Sequence, residues 1–440
     1  MKICSRTKAV LRAFLFVVAV GIFTTAANAA TVAVGNCEPG LPKYSTIQIA
    51  VDSVPPNSTI KVCPGTYPEQ VTISKSLTLS GDSTGNNDAA IVTPPAGGFK
   101  ANATEFGGSF PSAAQILVAG YSNGSPVSPS PVVKINNIIV DAANNGLAGC
   151  STDIVGFFYQ DASGTLNHVT ARNQQNDAPS DRGCQNGLGV FVESDGSGTP
   201  YTVTVQNSSV HNYQKNGITG DGYGTTLNIL SNNIQGYGPT DVIAQNGIQI
   251  SDGATGKVTG NTVTDDFYTP NSYSASGILF YDSLNGISST PISQNQVANT
   301  NLAVVLFYDG NSNPNYGDGG LTVANNRISG TQYDGVDACS TNNSINYNNI
   351  TNSGQSAIHF DTTSGVCSGT GNSATGNTIT EACVGILLGS SSGGTFQNNS
   401  FFDTVYKTSS GDVCPAPPTS AGAQVAGRTG RHALSPIKRQ

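Results

Sequence analysis

Between Val132 and Asp403 one short phrase recurs ten times: an apolar residue, two or three polar residues ending in Asn, one further residue, then Ile or Val. The copies read Asn137-Ile-Ile139, Asn167-His-Val169, Ser208-Ser-Val210, Asn232-Asn-Ile234, Asn261-Thr-Val263, Asn295-Gln-Val297, Asn326-Arg-Ile328, Asn348-Asn-Ile350, Asn377-Thr-Ile379 and Asn399-Ser-Phe401. Successive anchors stand 30, 41, 24, 29, 34, 31, 22, 29 and 22 residues apart. A fixed floor with variable excess is what a coil of constant circumference gives when loops of different length enter at its corners.

A second phrase follows most anchors, a small residue and then apolar residues at alternate positions: Gly187-Leu-Gly-Val190, Gly217-Ile218, Gly247-Ile-Gln-Ile250, Gly277-Ile-Leu-Phe280, Ala303-Val-Val-Leu306, Gly335-Val-Asp-Ala338, Ala357-Ile-His-Phe360 and Gly385-Ile-Leu-Leu388. Period two means strand. Two or three short strands per repeat leave no room for crossover helices, so they stack in parallel only by winding into a solenoid. Stacked Asn anchors suit this, because Asn tolerates the left-handed conformation and its amide can bond the same amide one coil away.

The expectation is an all-β, single-stranded right-handed parallel β-helix of roughly twelve coils, near 60 Å long at about 4.8 Å per coil. The pattern resembles the pectate-lyase-like superfamily over roughly Tyr44 to Asp403. That resemblance implies a fold that hosts lyases, hydrolases, esterases, epimerases and adhesins.

Residues 1–29 read as a secretory signal peptide: Lys2, Arg6, Lys8 and Arg12, an apolar run from Ala13 to Phe23, then Ala27-Asn28-Ala29 as a small-x-small cleavage site. The β-helix domain is expected over 30–407, with an N-terminal cap at 43–93, an inserted loop at 94–131 and the repeat array at 132–403. In the cap, Ser45 to Asp52 reads as a short amphipathic helix begun by Ser45 and stopped by Pro55-Pro56. The stretch 408–440 reads as a flexible tail.

Removing the leader takes away Cys4 and leaves Cys37, Cys63, Cys150, Cys184, Cys339, Cys367, Cys383 and Cys414. An even count without Cys-x-x-Cys pairs suits disulfides in an oxidising compartment, secreted, periplasmic or on the cell surface. Neighbouring coils suggest 37 with 63, 150 with 184, 339 with 367 and 383 with 414. From Ala30 to Val425 there are 27 acidic and 11 basic residues, a balance of −16. Such a body repels nucleic acid and anionic lipid, and no membrane span is expected once the leader is gone. The partner class is polysaccharide or cell-surface glycan, and the chain is expected as a monomer.

Three places could carry chemistry by motif. Gly65-Thr-Tyr67-Pro-Glu69 is similar to the Gly-x-Tyr-x-Glu signature of pectin methylesterases, and Gln160-Asp161 to a segment bearing one of their catalytic aspartates. The alternative there is a Pro-Gly turn with Tyr67 on the end cap and Glu69 facing solvent. Asp265-Asp266 resembles the paired aspartates of polygalacturonase-type hydrolases, without their Gly-His-Gly and Arg-x-Lys segments. Its alternative is the opening of a polar loop.

A fourth place comes from stacking. Counted from each small residue of the second phrase, the outward position holds Gln249, Leu279, Val305, Asp337, His359 and Leu387 in successive coils. Asp337 and His359 would then be lateral neighbours on one exposed face, and an Asp beside a His can orient it and raise its pKa. Asp334, Asp361 and Tyr333 stand close by in sequence. These strands also end in carboxylates: Glu193, Asp221, Asp252, Asp282, Asp309 and Asp361. In strict register they would repel by about 3.5 kcal/mol per adjacent pair at an effective dielectric of 20, so they are staggered at turns or bound to a cation. No cofactor is required; Ca2+ at Asp252, Asp282 and Asp309 is the metal such carboxylates would take. Loops bearing Tyr268, Tyr273, Tyr308 and Tyr316 offer flat faces to a sugar.

The function expected is binding or processing of polysaccharide, by lyase, hydrolase or epimerase chemistry, with Asp337, His359, Asp361 and Asp334 as catalytic candidates and Tyr268, Tyr273, Tyr308 and Tyr333 as substrate-binding ones. The alternative is a non-catalytic surface or adhesion module.

Overall fold

A computed structural model describes residues 28–82, 90–107, 110–122, 124–269, 272–284, 291–308, 319–363, 367–389, 393–411 and 414. The chain is a right-handed parallel β-helix. One flank is a 14-stranded sheet; the other two sheets join into a 23-stranded hydrogen-bonded network. Every coil contributes one strand to each sheet in turn. The coil through Thr255–Thr259, Thr262–Thr264 and Ser276–Tyr281 is representative.

Each sheet sends rows of stacked side chains into the core. In the second sheet, in-register stacking aligns Val210, Ile234, Val263, Val297, Ile328, Ile350 and Ile379. In the third it aligns Val190, Ile218, Ile248, Ile278, Val304, Val336, Ile358 and Ile386. These side chains form one continuous apolar cluster. Each fully buried Val or Ile contributes roughly 1.5–3 kcal/mol, which is why so thin a core suffices. The small residue opening the third-sheet strand is required by close approach: a Cβ on Gly247 would lie 2.4 Å from Val263 Cγ1 and 2.8 Å from the Gly277 carbonyl.

The anchors form a ladder from Asn232 through Asn261, Asn295, Asn326, Asn348 and Asn377 to Asn399. From Asn261 on, each Oδ1 accepts both the backbone N–H and the amide of the preceding rung, as where Asn261 N and Nδ2 reach Asn295 Oδ1 at 2.9 and 3.0 Å. Each Nδ2 also donates to a first-sheet carbonyl, Asn295 to Val258 O at 2.9 Å. Two features of the ladder differ from the sequence reading. The left-handed residue is the one before the rung: Asn207, Ser231, Gly260, Gln294, Asn325, Tyr347, Gly376 and Asn398 have φ between 52° and 71°. In the first two coils the strand register puts Ile138 and Val169 at the rung, with Asn137 and His168 at the left-handed corner. Asn167 instead accepts from Gln206 and Asn207 on the outside of the next coil. The ladder therefore starts at Ser208, whose N–H donates to Asn232 Oδ1 at 2.9 Å.

The N-terminal helix runs Ile47–Ser53 with Thr46, not Ser45, as its cap, and its Ile47, Ala50 and Val51 close the apolar end of the core. The stretch 94–131, expected as an inserted loop, contains Pro111–Ala119, a third-sheet strand that pairs in parallel with Asp153–Gln160. At the far end Tyr406–Ser409 still pairs with the preceding coil, so strand structure continues past 407. The disulfides are Cys37–Cys63, Cys150–Cys184, Cys339–Cys367 and Cys383–Cys414. Residues 1–27 and 415–440 lie outside the described residues, and no described helix is long and apolar enough to cross a membrane.

Candidate functional site

The outward row of the third sheet runs Thr219, Gln249, Leu279, Val305, Asp337, His359 and Leu387, each in register with the next. The stacking count therefore locates the right neighbours. It misjudges their surroundings: every member except His359 is buried. Period-two alternation fixes which side chains point away from the core, and is silent on whether solvent reaches them.

Asp337 and His359 are register partners. The imidazole nonetheless lies nearer Asp334, with Nδ1 3.3 Å from Asp334 Oδ2 and 4.0 Å from Asp337 Oδ1. Asp334 opens the strand Asp334–Ala338, one coil before His359, and is fixed by Ser356, whose backbone N–H at 3.2 Å and hydroxyl both donate to Oδ1. Asp361 follows the same strand as His359; its Oδ1 accepts from Thr363 N at 2.8 Å and Thr363 Oγ1 at 2.7 Å. The His359 side chain is 14% exposed, and those of Asp334 and Asp337 are closed off. Burial disfavours a charged imidazole, but the hydrogen bond and charge of Asp334, with the charges of Asp361 and Asp337, outweigh it and raise His359 to about 9. At neutral pH the ring is an imidazolium, anchored through Nδ1 and able to give a proton from Nε2. The donor atoms of Asp334, Asp337 and His359 all lie within 4.8 Å of one another, a spacing that a divalent cation could bridge.

The tyrosines divide. Tyr333 is buried beside Asp334, in a cluster with Leu279, Tyr281, Leu302, Val305 and Phe307. Tyr268 and Tyr273 approach each other at 6.0 Å between ring centroids and lead into Ser276–Tyr281, three strands from His359. Tyr308 is half-buried at the edge of a described segment, while Tyr316 and Asp309 lie outside the described residues. Asp252 and Asp282 occupy left-handed turns at φ 51° and 47°, each one residue beyond its strand; because Ser251 pairs with Tyr281 and Asp252 N donates to Tyr281 O, the two stand in register and are not staggered as expected. Among the described residues no third ligand joins them into a group. The other described group, Cys339, Asp361 and Cys367, has its sulfurs in a disulfide.

The motif candidates are structural. Glu69 accepts from Ile47 N at 2.8 Å and Gln48 N at 2.9 Å, capping the terminal helix, while the Tyr67 hydroxyl donates to Cys63 O at 2.7 Å. Asp265 and Asp266 point apart. Asp265 takes amides from Gln235 and Asn299; Asp266 is buried and takes the Tyr213 hydroxyl at 2.5 Å. Burial pushes the Asp266 carboxyl well above the usual carboxylate range. Asp161 is raised to about 6, chiefly by burial, and accepts Asp195 N. Glu193, raised to about 8 by burial and by the charge of Glu105, fastens the segment 106–107 through backbone N–H donors.

Sequence reasoning missed Ser356, the group that orients Asp334, and the stacked pair Tyr281 and Phe307, whose centroids are 5.3 Å apart at 12°. The pair had a signal. Tyr281 and Phe307 stand two residues beyond Leu279 and Val305 and so share their outward parity.

Comparisons with known proteins agree on fold and diverge on role. The family model described as "Periplasmic copper-binding protein (NosD)" matches residues 316–412, a span that contains Asp334, Asp337 and His359. No curated protein matches the chain. Among solved structures, the chain is similar to the A-module of the mannuronan C-5 epimerase AlgE4 from Azotobacter vinelandii. That match has 13% identity and a TM-score of 0.51, and it covers 87% of this chain and 95% of that chain. It is also similar to a family 28 exopolygalacturonase from Yersinia enterocolitica, at 11% identity and a TM-score of 0.54, over 88% of this chain and 80% of that one. Likeness at such identity speaks for the shared β-helix alone.

Proposed function

We propose that this chain is an extracytoplasmic protein that processes polysaccharide, with His359 as its acid–base group, Asp334 as the carboxylate that orients the ring and Asp337 as the second carboxylate. The observation that carries the reading is the imidazole held on a sheet face between two buried aspartates of the preceding coil, its free edge the one polar atom set of the group in reach of solvent. An imidazolium oriented by a buried carboxylate supplies a positioned proton donor, which glycan chemistry needs. The fold supports the reading because it is shared with an epimerase and a polygalacturonase; the four disulfides support an oxidising compartment.

The test is a glycan panel read by reducing-end release and by absorbance of unsaturated products, with Asp334→Asn, Asp337→Asn and His359→Gln variants alongside. Loss of turnover by 100-fold or more is expected in His359→Gln. Full activity in all three variants would remove the assignment. A second reading, favoured by the coincidence of the three donor atoms with the segment that the copper-binding family model matches, is that the site holds a metal. Calorimetric titration with Cu2+ would then show one site, absent in His359→Gln.

A further inference from the structure

We propose that two copies of this chain join end to end about a two-fold axis, the last coil of one against the last coil of the other. The inference stands apart from the reading of His359, and it replaces the monomer expected from the sequence.

The ground is the contrast between the two ends of the solenoid. At the start, the helix Ile47–Ser53 lays Ile47, Ala50 and Val51 over the core. At the finish, no helix does so among the described residues. The first-sheet core row runs Ile345, Ala374, Phe396 and the second-sheet row Ile350, Ile379, Phe401, each in register with the next. The first two members of each row are fully buried, yet Phe396 is 41% exposed and Phe401 only half-buried. Beside them Phe402 is 55%, Val405 70% and Tyr406 43% exposed. Taking roughly 150–250 Å² for a whole aromatic side chain, Phe396, Phe402 and Tyr406 leave about 200–350 Å² in water before Val405 is added. Apolar surface of that order gathered on one end of a molecule marks an interaction site.

The backbone is open there as well. Thr395–Gln397, Ser400–Phe402 and Tyr406–Ser409 pair, among the described residues, only with the coil before them. Three edges of N–H and C=O groups therefore face outward, the arrangement that recruits another chain, and a solenoid needs its terminal repeats covered.

The cover must bring apolar surface and strand edges together. By composition the stretch 415–440 offers little of either: Val425, Leu434 and Ile437 are its only large apolar residues, beside four prolines that cannot donate to a ladder. The start of another copy is closed by its own helix, so head-to-tail growth finds no open end. The same end of a second copy is the match, and a two-fold axis is the symmetry of such self-pairing. Two last coils placed face to face run in opposite senses, so their strands meet antiparallel, a pairing that parallel sheets accept at an edge.

Charge sets the register. Between Gly393 and Gly411 the only charged residues are Asp403 and Lys407; both are exposed, and they stand symmetrically about Val405. An axis at Val405 brings Asp403 of each copy to Lys407 of the other and sets Val405 against its own counterpart. Such pairs fix orientation more than they add affinity. The coil 393–411 has 19 residues, close to the roughly 20–30 per side of a stable interface.

The test uses the full chain. Sedimentation velocity is expected to show twice the monomer mass, and small-angle scattering a maximum dimension nearly doubled. Asp403→Lys is expected to weaken association at least tenfold, and Asp403→Lys with Lys407→Asp to restore it. Ile49→Lys, at a residue 48% exposed on the helix of the closed end, is expected to leave association unchanged. With benzoylphenylalanine in place of Phe402, photo-cross-links are expected to residues 400–409 of a second copy; circular dichroism checks that each variant folds. A monomer at every concentration, a dimer no longer than the monomer, or unchanged association in Asp403→Lys would overturn the inference. So would failure of the charge swap to restore pairing, loss of pairing in Ile49→Lys, or cross-links from position 402 into 415–440, which would give the end to that stretch.

Discussion

Replacing Asn295 by Ala tests what holds the coils in phase. The Asn295 side chain makes four hydrogen bonds: Oδ1 accepts Asn261 N and Nδ2, and Nδ2 donates to Val258 O and Asn326 Oδ1. Asn261 Nδ2 keeps its bond to Ile229 O, and Asn326 Oδ1 keeps the Asn295 N–H. The Asn261 N–H and the Val258 carbonyl lose these bonds in a buried setting. At about 1–3 kcal/mol for each buried group left unmade, with a smaller term for the two weakened ones, the cost is about 3–5 kcal/mol. Ser208→Ala is the internal reference. Its hydroxyl accepts only Val169 N and donates only to Gln206 O, so about 1–2 kcal/mol is expected. Urea denaturation followed by far-UV circular dichroism measures both. A cost for Asn295→Ala below about 1 kcal/mol, or no larger than that of Ser208→Ala, would refute the claim that the amide ladder fixes the stacking.

Other outcomes follow from the same geometry. His359, at about 9 against an ordinary 6.5, is raised on folding, so its stabilising contribution is complete below about pH 6.5 and is lost as pH climbs through 9. Asp334→Asn should lower the His359 pKa by at least one unit in an NMR titration; an unchanged value would show that Asp334 is not the partner that matters. Glu193 is also raised, from 4.5 to about 8, so stability should fall across that interval and Glu193→Gln should flatten this part of the melting-temperature profile. Gly247→Ala, whose new methyl meets Val263 and the Gly277 carbonyl, should cost about 1–3 kcal/mol by overpacking. Ala303 shows that the same corner accepts a methyl where the neighbours allow it, and Ala303→Gly should cost about 1 kcal/mol or less.

The solenoid was legible because its two periods are local: alternation within a strand and the interval between rungs. Register was legible only where Asn occupies the rung. In the first two coils apolar Ile138 and Val169 fill that place, and nearby Asn137 and Asn167 carry the letter without the function. The Asp337 and His359 adjacency came from counting along the third-sheet strands. The closer Asp334 contact did not, because Asp334 stands an odd three positions before Asp337, so strict alternation assigns the two to opposite faces although both reach the ring. Nor could the sequence tell that Glu69 would cap a helix 22 positions upstream, since the partner is set by how the end coil closes.

Because every rung from Asn261 to Asn399 takes the same two donors from the coil before it, the spine is directional and one full turn there meets the next in the same way. The shortest turns separate rungs by 22 residues, as between Asn326 and Asn348 or Asn377 and Asn399. A duplicated or excised stretch that begins and ends just after a rung would keep donors facing acceptors. The molecule could thus grow or shrink by whole turns during its history, while the loops that differ from turn to turn were free to diverge.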